Sequence, residues 1–188
     1  MVGKRIFLAL PLEPVEPAAE KTIWLQKLLG SYRIKWTRVE NFHLTLFFFG
    51  ETSLRQILVL QELLRSALKN YPAFSFSLNG PGVFKKGREP RVLWLGIKAS
   101  DQLFEIKKAI DTAVAISGFT SDDKIYRPHL TLGRFFPGQE ISSVLDSALK
   151  EGPLTPPVEY YVSKLILFES ILFPGGPKYL PIEVFELG

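Results

Sequence analysis

Only two histidines occur in this chain of 188 residues, and both head the same tetrapeptide. His43-Leu44-Thr45-Leu46 recurs as His129-Leu130-Thr131-Leu132, 86 positions later. In an extended segment alternate residues share a face. Each His and its Thr therefore point one way while the leucines point the other, into a core. At about 3.3–3.4 Å of rise per residue the two polar positions stand about 6.6–6.8 Å apart. Their side chains can converge on neighbouring atoms of one small ligand. Imidazole titrates near neutral pH, so one ring can take a proton from a nucleophile while a protonated ring gives one to a leaving oxygen. Threonine hydroxyls can donate to phosphate oxygens. Two such units facing each other suit an in-line displacement at phosphorus, where attacking and leaving oxygens lie on opposite sides.

Other chemistries have less support. A single strand histidine is more often structural than catalytic, and a strand threonine is favoured by β-propensity alone; a duplicated unit holding every histidine weighs against both. The histidines with Asp122 or Asp123 could supply three metal ligands, but no metal-binding spacing is present. A Ser-His-Asp triad lacks its Gly-x-Ser-x-Gly elbow. The absence of cysteine removes disulfides, thiolate metal sites and cysteine nucleophiles, and fits a reducing cytoplasm.

The elements that must position the two motifs come in a repeating order. Residues 5–10 read as a buried strand, 18–29 as a helix with Trp24, Leu25, Leu28 and Leu29 on its stripe, and 42–49 as the first motif strand ended by Gly50. Ser53 with Gln56 forms a capping box opening a helix over 53–69, with Leu54, Ile57, Leu58, Leu64 and Leu68 at helical spacing. Residues 74–79 alternate as a half-exposed strand, Gly80-Pro81-Gly82 reads as a turn, and Lys85-Lys86-Gly87-Arg88-Glu89-Pro90 as a basic loop. Then come a strand over 91–98, a helix capped by Ser100 and running to Ser117, a polar loop over 121–124, and the second motif strand within 126–136. A short helix over 141–150 is stopped by Gly152 and Pro153. A closing hairpin has arms 162–170 and 179–187 around Pro174-Gly175-Gly176-Pro177. At the motif offset of 86, Arg5 falls on Arg91, Trp24 on Ile110 and Leu28 on Val114. The pattern predicts two similar lobes related by a pseudo-two-fold axis, with one motif from each lobe at the axis.

Composition is that of a globular chain: 46% hydrophobic and 22% charged residues argue against long disorder. A net charge of +4 tolerates anionic partners without specifying one. The apolar run at residues 6–12 is too short for a signal peptide and is interrupted by Glu13, Pro14 and Glu16. No stretch reaches the ~18 apolar residues that span a bilayer. A cytoplasmic protein with no membrane partner is expected.

Two His-x-Thr-x motifs in this order of strands and helices resemble the 2H phosphoesterase superfamily. The nearer resemblance is to the RNA 2′,3′-cyclic phosphodiesterases, once called 2′-5′ RNA ligases. It extends to residues 5–11, to Asn41-Phe42-His43-Leu44-Thr45-Leu46 with Phe49-Gly50-Glu51, to Arg91-Val92-Leu93-Trp94-Leu95-Gly96, and to Pro128-His129-Leu130-Thr131-Leu132-Gly133-Arg134. The resemblance implies an α+β, bilobal fold in which each lobe has an antiparallel sheet and helices around a central cleft, residues 1–188 forming one domain. It implies hydrolysis of an RNA or nucleotide 2′,3′-cyclic phosphate end to a 2′-phosphomonoester, with no cofactor and no metal, in a monomer. His43 would be the proton donor and His129 the proton acceptor; the pseudo-symmetric sequence by itself does not orient the pair. Thr45, Thr131 and Arg134 would bind the phosphate.

Arg134 lies three residues beyond Thr131, so strict alternation puts it on the wrong face; a bulge near Gly133 could turn it inward. Arg127 reads as a surface residue. Lys85, Lys86 and Arg88 could follow an RNA backbone, although charged loops are usually just solvated. Phe84 and Trp94 could stack on a base but fit a core better. Two alternatives remain: a module that binds RNA ends without turnover, and a related enzyme acting on another substrate, either 2′-5′-linked RNA by ligation or cleavage, or a cyclic ADP-ribose phosphate.

Overall fold

The structure, a computed structural model, describes residues 3–119, 125–150 and 158–188. Its order is β1 (Lys4–Pro11), α1 (Glu16–Leu28), β2 (Ile34–Trp36), β3 (His43–Thr52), α2 (Leu54–Leu68), β4 (Phe74–Lys86), β5 (Glu89–Lys98), α3 (Asp101–Ala115), β6 (His129–Phe135), α4 (Ser143–Leu149), β7 (Glu159–Val162), β8 (Lys164–Phe173) and β9 (Gly176–Glu186). The expectations for 121–124, with Asp122 and Asp123, and for Gly152 and Pro153 fall outside the described residues.

Nine strands form one curled antiparallel sheet in the order β7-β4-β5-β6-β3-β1-β8-β9, with β2 added to β6. Four strands lie on each side of the β3–β6 junction, and the two halves match across it. β3 and β6, the motif strands, meet through one residue pair, Leu44 with Leu130. The two expected sheets are thus halves of a continuous one, hinged at the motifs. The helices bridge the same junction from behind: α2 packs on α3, and α1 on α4. Leucines of both motifs enter one core that runs through both lobes. The sheet face behind the motifs is therefore dry, and the opposite face is left for His and Thr.

The duplication is real but its register shifts by one. Pro11 sits opposite His43 in β1–β3, and Gly96 opposite His129 in β5–β6. The partner strands therefore correspond at an offset of 85 while the motif strands correspond at 86. The helices keep step with the partner strands: Ala18, Thr22, Leu25 and Leu29 are buried, as are Leu103, Lys107, Ile110 and Val114 in the equivalent places. Trp24 and Leu28, expected on the stripe of α1, are 39% and 36% exposed. Arg5 accordingly does not correspond to Arg91, which pairs with Glu89 instead.

Two further expectations change. The capping box of α2 is present, Ser53 and Gln56 exchanging both bonds, but its buried stripe is Ile57, Leu60, Leu64 and Leu68, while Leu54 and Leu58 face solvent. Gly80-Pro81-Gly82 is not a turn. β4 continues through it with a register shift between Leu78 and Pro81, which is where a strand tolerates proline. Gly82 is required there, because a Cβ would stand 2.0 Å from the Trp94 ring. The reversal comes later, at Gly87 (φ 61°), so that Lys85 and Lys86 are paired strand residues and not loop.

Candidate active site

Both motif strands carry the same burial sequence over seven residues: half-buried, buried, half-buried, buried, buried, exposed, buried. The alternation breaks after the fourth residue in each. In β3 the ladder runs Ala9 to Thr45 and then Leu8 to Phe47, leaving Leu46 unpaired. In β6 it runs Trp94 to Thr131 and then Leu93 to Gly133, leaving Leu132 unpaired. Each motif thus ends in a β-bulge, which inserts one residue and reverses the parity of the strand beyond it. The carbonyl freed at Leu132 accepts the Thr37 N–H at 2.8 Å. The reversal puts Arg134 on the same face as His129 and Thr131, and its counterpart Phe48 on the face of His43 and Thr45. A Cβ on Gly133 would stand 2.6 Å from Ile34, so the close approach of β2 to the bulge needs glycine.

The antiparallel pair Leu44–Leu130 sets His43 across from Thr131 and Thr45 across from His129. The four polar side chains of the motifs form one cluster. Both imidazoles are anchored alike. His43 Nδ1 lies 2.7 Å from the Asn41 carbonyl, and His129 Nδ1 lies 2.7 Å from the Arg127 carbonyl. A carbonyl only accepts, so Nδ1 carries the proton in each ring and Nε2 is the free nitrogen. His43 Nε2 is 3.0 Å from the Thr45 hydroxyl, which donates to the neutral ring. Tyr126 ties the cluster across the junction, its hydroxyl donating to the Thr45 carbonyl at 3.1 Å.

Burial pushes both histidines below the usual imidazole value of 6.5. The carbonyl bonds oppose this, and positive neighbours reinforce it: His129 for His43, and Arg134 for His129. Both free rings are therefore neutral at pH 7. An anionic ligand seated between them reverses the balance by favouring the charged form.

A cavity of about 410 Å³ opens beside the cluster. Its walls include His43, Thr45 and Phe48 from the first motif strand and Thr131 and Arg134 from the second. Thr45, Thr131 and Arg134 line it together. His129 is not in this wall. It packs on the far flank of the cluster, edge-on to Phe84 (centroids 4.8 Å) and tilted against Trp94 (6.3 Å). The His43 ring is held by Phe7 (4.9 Å) and edge-on by Tyr179 (5.2 Å). Phe84 and Trp94 thus brace a histidine. Arg127 has an exposed side chain and contributes its carbonyl. Lys85, Lys86 and Arg88 line none of this cavity.

Arg5, Phe7 and Tyr179 are cavity residues that sequence reasoning missed. Arg5 lies over the Phe48 ring, 4.9 Å from its centroid. Tyr179 is raised in pKa by burial and pulled back by the charges of Arg134 and Arg5, so all three share one neighbourhood. Arg5 could have been noticed as a charge in the most apolar strand of the chain. Nothing local marks Tyr179.

The model of the 2′-5′ RNA ligase superfamily matches residues 14–170. The chain belongs to that superfamily. Among its relatives, the RNA 2′,3′-cyclic phosphodiesterase of Thermotoga maritima is 33% identical over 93% of this chain and 91% of that protein. The enzyme of the same name from Methanothermobacter thermautotrophicus is 32% identical over 97% and 98%. Solved structures agree: E. coli LigT complexed with 3′-AMP superposes with a TM-score of 0.80 at 25% identity, covering 98% of each chain. TT0787 of Thermus thermophilus gives 0.75 at 25% identity over 97% of each. In this member of the 2′-5′ RNA ligase superfamily, Arg5, Phe7 and Tyr179 lie outside the span that the family model matches. No helix of the described residues is long and apolar enough to cross a membrane.

Proposed function

We propose that the protein hydrolyses RNA or nucleotide 2′,3′-cyclic phosphates to 2′-phosphomonoesters, with His43 as general acid, His129 as general base, and Thr45, Thr131 and Arg134 holding the phosphate. The observation that carries this reading is the matched anchoring of the two rings. Each has Nδ1 fixed to the carbonyl two residues upstream, which turns Nε2 the other way, in His43 toward the Thr45 hydroxyl. His129 Nε2 takes a proton as water attacks phosphorus. The P–O3′ bond breaks in line, and the proton on His43 Nε2 goes to the departing O3′. The activity for which the relatives are named points the same way.

The cavity supports this orientation of the acid and base. In a 2′,3′-cyclic phosphate the ribose holds phosphorus through both O2′ and O3′; only P–O3′ breaks, and in-line displacement brings water in on the side opposite O3′, away from the ribose. The room for a nucleoside lies against His43, and the His129 bond is the solvent-exposed one. The two lobes act as one catalytic unit, since each supplies half of the cluster.

RNA ending in a 2′,3′-cyclic phosphate, incubated with pure protein, tests the reading by product analysis. A 2′-monophosphate is expected; a 3′-monophosphate reverses the geometry, and binding without any product favours an RNA-end-binding module. The pH profile is a second check. Free rings below 6.5 mean that the productive form, one ring protonated and one neutral, is most populated on the acid side of that value. We expect kcat/KM to peak below pH 6.5 and to fall by pH 8. The kcat profile should lie at higher pH, because bound phosphate raises both rings. A kcat/KM maximum above pH 7.5 contradicts the assignment.

A further inference from the structure

The reaction cavity does not end at the nucleoside. A second cavity, about 460 Å³, shares Arg38, Asn41, Gly175, Gly176 and Pro177 with it. The shared residues form a sill made by the β8–β9 turn and the segment before β3. Asn41 Nδ2 donates to the Pro177 carbonyl at 3.0 Å and pins the two together. At Gly175 the Arg38 guanidinium comes within 3.5 Å of where a Cβ would stand.

Cations line the route. Lys35 and Arg38 stand in the wall of the first cavity, and Arg38 and Lys178 in that of the second. One carboxylate, Glu40, joins them in the second, 3.6 Å from Arg38. Both partners of that pair are mostly exposed, so it holds Arg38 weakly and a phosphate can replace it. Phe173, 52% exposed, offers the second cavity a free aromatic surface. A cationic track with an unpaired aromatic beside it is what a single strand of nucleic acid binds: the charges track the backbone, and the ring stacks on any base.

We propose that the second cavity is the subsite for the penultimate nucleotide of an RNA end. This rests on the cyclic phosphodiesterase reading above. Arg38 and Lys178 take the phosphodiester that joins the last two nucleosides, and Phe173 stacks on the penultimate base. The hairpin cations Lys85, Lys86 and Arg88 line neither cavity and are not on the route.

The test compares kcat/KM for adenosine 2′,3′-cyclic phosphate with that for the dinucleotide ApA ending in the same group. The native protein should prefer the dinucleotide by about tenfold or more, the scale of one base–aromatic stack. Phe173→Ala with Lys178→Ala should lower that ratio at least fivefold, whereas Lys85→Ala with Lys86→Ala, which removes more charge elsewhere, should leave the ratio in place. A general loss of fold moves both substrates together and does not change the ratio, and the Lys85/Lys86 pair reports what lost field alone does to it. Equal use of the two substrates by the native protein, or a ratio untouched by the Phe173/Lys178 pair, overturns the subsite. Turnover of neither substrate overturns the function and the subsite with it.

Discussion

His43→Ala and His129→Ala should each lower kcat by roughly 10²–10⁴-fold, the usual contribution of a positioned acid or base, while the protein stays folded. Neither ring is a core group. Each is half-buried on the face opposite the leucines, held by one backbone carbonyl and two aromatic neighbours. Circular dichroism and the melting temperature check the fold. The double variant should be scarcely slower than either single one, because proton removal and proton delivery belong to one displacement. An activated aryl phosphodiester separates the roles. Its phenolate leaves without a proton, so His43→Ala should retain most of the native rate on it and His129→Ala should not. The opposite result exchanges acid and base. Full activity of either variant on a cyclic phosphate removes the proposed mechanism.

Arg134→Ala should lower kcat by about 10²–10³-fold, the range seen when a donor to developing negative charge is removed. Arg134→Lys should recover only part of this, because a point charge does not reproduce the guanidinium fork. The substitution carries a second signature. Burial holds His129 below the usual imidazole value, and the positive charge of Arg134 lowers it further. Without it the His129 pKa rises, so the limb of the pH–rate profile that reports the base must move to higher pH. A lost surface arginine would leave kcat and both limbs where they were. The comparison is made at fixed ionic strength, since long-range fields are screened by salt and the close Arg134–His129 interaction much less so.

Much of the site is readable in the chain because its information is local. His-x-Thr with intervening leucines states its own two faces, and a repeat holding both histidines states that the copies meet. The Ser53 capping box likewise depends on four consecutive residues. Other features depend on a partner strand that the local sequence does not name. Arg134 faces the cluster only because Leu132 is left out of the β5–β6 ladder, and strict alternation hides it. The 85-residue offset of Leu25 and Ile110 is visible only with both motif strands paired, which is why helical spacing at the motif offset puts Trp24 and Leu28 on the wrong stripe. Gly80-Pro81-Gly82 has turn composition, yet β5 on one side keeps it in the sheet. Tyr179 reaches His43 across 136 residues of chain, a distance over which no periodicity speaks.

The place of β1 in the sheet governs when activity can first exist. β1 lies between β3 and β8, with Ile6 opposite Gly50 on one side and Glu169 on the other. During synthesis its first neighbour arrives within about fifty residues, but its second comes only when the chain has grown past residue 166. Until then Phe7 and Arg5 lack the hairpin that closes over them, and the cavity lacks Ser170 and Tyr179. Both histidines are made well before that point, yet the residues that close the cavity on this side come after them in the chain. Such long-range closure is slow relative to local folding. The cavity is therefore complete only after the last hairpin has docked against β1.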